Sequence, residues 1–155
     1  MTDETTTESM LVAIRDKLKD LIDKDPALSD IKKIYKGTPR SIPNYPCVLL
    51  DYEDDVITQR HKGQTNIGQT IRMNVIVLDK YLEYDERQDK LLRLTGLLKK
   101  NFNTNRYLDG LKDAAGAWKV NDMYSTSTRY EALVNPKTFV LDSSEIKIEI
   151  VTEGI

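Results

Sequence analysis

The 155-residue chain holds a single cysteine, Cys47, and a single histidine, His61. One cysteine excludes an internal disulfide, which fits a reducing cytoplasm. One Cys and one His are also too few to close a zinc site of those ligands within one chain. A Cys47–His61 dyad would pair a nucleophile with a base. Yet Cys47 stands in an apolar run, where a thiol behaves as a small hydrophobe. The seven glycines are scattered, so phosphate loops, dinucleotide fingerprints and nucleophile elbows are missing. The longest apolar runs, 47–50 and 75–78, fall far short of the roughly 20 residues a membrane-spanning helix needs. Residues 1–8 are acidic where a secretory signal would be basic, and read as a disordered start. An excess of positive charge is lacking too. With 23 basic and 25 acidic residues, net charge is −2. Phosphate backbones are gripped by clustered cations, so a dedicated DNA binder is a poor fit. Such a chain can still stand beside DNA inside a larger assembly.

What is present is the material for one domain. Apolar residues make up 39% and charged residues 31%, a polar but foldable balance. Residues 9–155 are expected to form a single α+β domain. Met10, Leu11, Ile14, Leu18, Leu21 and Ile22 recur at helical spacing, with Ser9 as a fitting N-cap. Asp25-Pro26 ends that helix. Residues 31–36 suit a short strand or a helical turn. Three prolines, Pro39, Pro43 and Pro46, stiffen the approach to a strand at 47–52.

Residues 54–68 are polar and read as a long hairpin arm or loop. The clearest strand follows at 70–78. Ile71, Met73, Val75 and Val77 share one face, and Arg72, Asn74, Ile76 and Leu78 the other. Its second half is apolar on both faces and should be buried twice. A second helix is expected over 83–102, with a stripe of Leu91, Leu94, Leu98 and Phe102 widened by Tyr84, Leu92 and Leu97. Gly96 weakens it from within. In the last third, Trp118, Val120, Tyr124, Thr126, Thr128 and Tyr130 fall on one side of an extended chain. A brief strand at 137–141 follows a turn at Asn135-Pro136. Ile146, Ile148 and Ile150 then alternate with Lys147 and Glu149. Strands and helices do not alternate regularly. The fold class is therefore α+β: an antiparallel or mixed sheet with helices packed on one face, plus a long extended arm.

Candidate chemistry is thin. Asp51, Glu53, Asp54 and Asp55 could hold a hard cation, but they read equally as the polar turn after a strand. Glu145-Ile146-Lys147, with Asp122 or Asp142 as a second ligand, has the form of a metal-dependent nuclease site. The same residues are the polar face of an alternating strand. Arg60-His61-Lys62 is a basic tip on the arm, suited to an acidic neighbour or DNA; its flanking cations keep His61 neutral. Eight tyrosines against two phenylalanines suit surfaces that stay soluble before assembly. No active site is recognised, and the chain reads as a binding or assembly part rather than an enzyme.

The layout is similar to a known family. An amphipathic helix leads to the Pro-rich entry Ser41-Ile42-Pro43-Asn44-Tyr45-Pro46 and a strand from Cys47. A polar arm, the strand Ile71-Arg72-Met73-Asn74-Val75-Ile76-Val77-Leu78, a helix through Leu91 and Phe102, and a closing strand follow. This order resembles the tail terminator (tail completion, minor tail protein U-like) proteins of tailed phages. The resemblance implies a homo-oligomeric ring, usually a hexamer, that caps the tail tube and ends its polymerisation. The ring joins the tube protein to the head–tail connector and neck proteins, and DNA only passes through its lumen. It implies a virion location after assembly in the host cytoplasm, no membrane and no cofactor. Contacts would come from sheet edges and the arm, here residues 54–68. The interface residues expected are Arg60, His61, Lys62 and Gln64 on the arm and Tyr52 at its base. Another neck adaptor, a head-closure or tail-joining protein, would share these elements. The metal-dependent nuclease remains the third reading.

Overall fold

Alternating apolar residues build five strands that join into one sheet, ordered β1-β2-β3-β5-β4. The computed structural model describes residues 3–37, 44–59, 68–81, 87–113, 118–135 and 139–154. The strands are β1 (Lys33–Lys36), β2 (Cys47–Gln59), β3 (Gly68–Tyr81), β4 (Trp118–Asn135) and β5 (Phe139–Gly154). The helices are α1 (Asp3–Asp23) and α2 (Arg87–Thr104). Short 3-10 turns stand at Pro26–Leu28 and Leu108–Gly110. The sheet is mixed: β1 runs parallel to β2, and the pairs β2/β3, β3/β5 and β4/β5 are antiparallel. The α+β expectation, with helices on one face of a mixed sheet, describes this architecture.

Both helices cover the same face. Met10, Ile14, Leu18 and Ile22 of α1, and Leu91, Leu94, Leu98 and Phe102 of α2, are buried. They share one core with Val48 and Leu50 of β2, Ile71, Met73, Val75 and Val77 of β3, and Ile146, Ile148 and Ile150 of β5. The helical stripe and the two-residue strand period thus meet in one apolar layer. Where β3 is apolar on both faces, Leu78 joins a small second cluster with Cys47 and Leu49, flanked by Tyr35, Tyr45 and Ile76. That end of the sheet is buried twice, as its sequence requires.

Several boundaries differ from the expectation. Helix α1 begins at Asp3, so Ser9 lies inside it and caps nothing. Asp25 instead caps the following turn, where its carboxylate accepts the Ala27 N–H at 3.0 Å. Residues 33–36 are a strand, because β1 can borrow the edge of β2. Leu92 is 41% exposed and does not widen the α2 stripe, since the stripe already faces the sheet; Tyr84 lies outside the described residues. Residues 139–141 of the expected brief strand and the later alternating strand are one continuous β5, and residues 137 and 138 lie outside the described residues. Residues 54–59 take the hairpin alternative of the expected arm or loop. They extend β2 and pair with β3 as far as Gln59 opposite Gly68, so the arm is a strand hairpin whose tip, residues 60–67, lies outside the described residues. No described helix is long and apolar enough to cross a membrane.

Candidate functional site

Strand β4 makes the largest departure from simple alternation, and it shapes the surface left open. Opposite β5, its register slips between Val120 and Asp122 and again between Ser125 and Ser127. Each slip is a β-bulge, which adds one residue and turns the following side chains to the other face. Trp118, Val120, Met123, Ser125 and Thr128 therefore share the helix-covered side, opposite Thr152, Ile150, Ile148 and Ile146 for the last four. Tyr124 and Ser127 fall on the uncovered side, opposite Glu149 and Lys147. The run of Trp118, Val120, Tyr124, Thr126, Thr128 and Tyr130 is thus split between faces. A strict two-residue period cannot register inserted residues.

The uncovered face carries a lattice of opposite charges. Arg72 reaches Asp54 on one side at 3.2 Å and Glu149 on the other at 3.4 Å. Tyr124 donates its hydroxyl to Glu149 at 2.7 Å, which raises the Tyr124 pKa. Lys147 pairs with Glu53 at 3.4 Å. A third slip, between Tyr52 and Asp54, lets Glu53 and Asp54 both face this side. A shallow cleft of about 240 Å³ lies among Glu53, Arg72, Thr126, Lys147, Ile148 and Glu149. Because these pairs are exposed, each contributes little stability, on the order of 0–1 kcal/mol. They set the pattern of the surface rather than hold the fold.

The residues of the nuclease reading are drawn into this pattern. Asp122 is clamped by Arg106, which donates Nε and Nη2 to its two carboxylate oxygens at 3.0 and 2.7 Å. That guanidinium, helped by the Met123 N–H, holds the Asp122 carboxyl below its ordinary value. Lys147 is engaged by Glu53, and Glu145 stands opposite Arg129. The side chain of Asp142 is not described. Among the described residues, no group of three or more His, Cys, Asp or Glu is placed to hold a metal ion. The acids at 51–55 lie within β2 rather than in a turn after it. Cys47 is fully buried, and burial pushes its thiol up to about 11.

Of the expected interface residues, Arg60, His61, Lys62 and Gln64 lie outside the described residues. Tyr52 is half-buried and packs against the main core. Its hydroxyl donates to Asp55, and that bond, with burial, pushes the phenol up to about 12. The exposed tyrosines stand elsewhere. Tyr107 is 61%, Tyr124 38% and Tyr130 43% exposed; the last two lie on β4, and Tyr107 precedes the Leu108–Gly110 turn. The tyrosine excess was the available sequence signal for them. The bulges hid which tyrosines face outward.

Two stretches of sheet edge lack a strand partner among the described residues. Strand β1 covers only Cys47 to Leu50 of β2, which leaves residues 51–59 open on that side. At the other edge, the Leu111 carbonyl accepts the Val120 N–H at 2.9 Å, and Asp113 donates to Trp118 O at 2.8 Å. That short cover ends there, and residues 121–135 of β4 continue beyond it. Unpaired edges present rows of backbone donors and acceptors to whatever can align with them.

These features define a mixed-sheet α+β domain with one helix layer, a charge-patterned stretch on the other face, and two stretches of edge that have no strand partner among the described residues. The same fold occurs in a solved chain of the "virion of native gene transfer agent (GTA) particle", with a TM-score of 0.63. The likeness covers 90% of this chain and 94% of that one, at 11% sequence identity, and is therefore a likeness of fold. No family model and no curated protein matches the sequence.

Proposed function

We propose that this chain is a structural protein of a phage-type virion. The observation that carries the reading is the fold shared, nearly end to end, with a chain of a gene transfer agent virion. The open sheet edges and exposed tyrosines support it, because they are surfaces that assembly would bury. The more specific reading is a tail terminator: a ring, taken as a hexamer, that caps the tail tube and joins it to the neck. The element order supports that version. Its partners would be further copies of itself, the tube protein and a neck protein, with DNA passing through the lumen.

The test is electron microscopy of particles assembled with and without this chain. Overlong tubes without heads identify a terminator. Tubes of normal length that fail to join heads identify a neck adaptor instead. Unchanged particles overturn the structural role altogether. Deleting residues 60–63 at the arm tip is expected to reduce incorporation into particles, read by quantifying the chain in purified virions.

A further inference from the structure

The turn at Leu108–Gly110 carries backbone strain. Its three residues have φ of +48°, +60° and +73° in succession. Leu108 and Asp109 are the only residues other than glycine with positive φ among the described residues. Residues other than Gly, Asn and Asp seldom enter this left-handed region, and then singly rather than in a run. The run is pinned at its start, where Leu108 is fully buried in the main core. Asp109 is drawn to Lys17 of α1 at 3.1 Å.

The turn delivers residues 111–113 to the outer edge of β4. Two backbone bonds fasten them there, from the Val120 N–H to the Leu111 carbonyl and from the Asp113 N–H to the Trp118 carbonyl. Between these bonds, Lys112 stands directly opposite Lys119. Like charges that face each other across a ladder destabilise it. Glu153 offsets Lys119 at 3.5 Å; Lys112 is exposed without such a partner among the described residues. The segment is thus held by two backbone bonds and one exposed ion pair, which is worth little. Against them stand the left-handed backbone and the facing lysines.

We propose that residues 109–113 are a strap that lifts off β4 while the rest of the domain stays folded, with the buried Leu108 as its pivot. Lifting lets Asp109 and Gly110 leave the left-handed region and separates the two lysines. It bares the Val120 N–H and the Trp118 carbonyl. The closed strap is therefore an autoinhibitory contact over the first residues of the β4 edge. Covering an edge is one way a free chain avoids unwanted strand pairing. A cover under strain does so without closing the edge for good. The strap belongs to the chain by itself and stands whether or not the virion reading does.

Native-state hydrogen exchange on the full-length wild type, across low denaturant concentrations, tests this. Local opening is nearly independent of denaturant, whereas global unfolding rises steeply with it. The Val120 and Asp113 amides are expected to share one low protection, with little denaturant dependence. The Val75 and Ile148 amides of the central strands should be far better protected. Equal protection and equal denaturant slopes at all four would show that the strap never lifts alone, and would overturn the proposal. Two substitutions test the cause. Gly110→Ala adds a methyl group that meets nothing within 4 Å, so it acts through the left-handed backbone alone. It is expected to lower protection at Val120 and Asp113 about five- to thirtyfold. Lys112→Glu sets opposite charges face to face and should raise that protection. Protection that ignores both substitutions, in variants with the wild-type circular dichroism, also overturns the proposal. Should Gly110→Ala not fold, the wild-type slopes and Lys112→Glu decide.

Discussion

Inside the sheet–helix interface, one polar contact is fully buried. Thr95 of α2 donates its hydroxyl to the Leu91 carbonyl at 2.7 Å. Its single proton is then spent, so in the 2.7 Å contact with Ser144 of β5 the serine must donate. Thr95→Val keeps the shape and leaves the buried Ser144 hydroxyl without its acceptor. That substitution is expected to cost about 1–3 kcal/mol, measured by chemical denaturation. Adding Ser144→Ala should recover part of the loss, and losses that simply add in the double variant would show that the two hydroxyls are independent. Asp122 gives a pH-dependent contact. Its pKa is lowered by Arg106, so the stabilisation it lends is present above the ordinary carboxylate pKa of about 3.9 and is lost as pH falls through the lowered value. Arg106→Gln should return the Asp122 titration toward the ordinary value, followed by NMR of the side-chain carboxylate. An unmoved titration would show that the ion pair does not exist in solution.

Among the elements, α2 shows how far local pattern carries. Leu91, Leu94, Leu98 and Phe102 were legible as a stripe because helical spacing leaves little choice of face. Gly96 weakened that reading, yet it sits on the exposed side, and a methyl group there would meet nothing within 4 Å. Gly96→Ala is therefore expected to stabilise the protein by about 1 kcal/mol and to raise the melting temperature by roughly 2–4 °C. A melting temperature that stays level or falls would mean that α2 needs the glycine for a reason beyond its helix. The alternation of β3 was equally legible, and so were its doubly buried end and the isoleucines of β5. The length of β2 was not, because the acids Asp54 and Asp55 interrupt its apolar pattern; Val56, Ile57 and Thr58 are strand formers, and pairing with β3 carries the strand through to Gln59. The facing of β4 was hidden for a different reason. Its bulges are fixed by register against β5, and nothing in Asn121 or Thr126 announces an extra residue. The candidate surface therefore showed in the sequence only as a tyrosine excess, without the positions that carry it.

For the whole molecule, the balance of charge matters more than any single acid. Asp54 and Glu149 answer Arg72, Glu53 answers Lys147, and Asp122 answers Arg106. Of the carboxylates in the nuclease reading, Asp122 is thus held by a cation, and Glu145 stands opposite Arg129. Purified protein incubated with plasmid DNA and Mg²⁺ or Mn²⁺ is expected to leave the DNA intact; cleavage that disappears in Glu145→Gln would reverse this conclusion. The net charge of −2 fits the same picture of a surface patterned in both signs. The two bulges of β4 carry one more consequence. Strand β4 spends 18 residues where β5 spends 16, so its surplus length lies within the ladder and not in a loop. In a related chain, the loss of one residue at Thr126 would leave the strand in place while exchanging inner and outer side chains for one stretch. Relatives of this protein should therefore carry single-residue gaps in the middle of β4. At each such gap their apolar and polar positions should change parity, and that change would date the gain or loss of a bulge more reliably than sequence identity does.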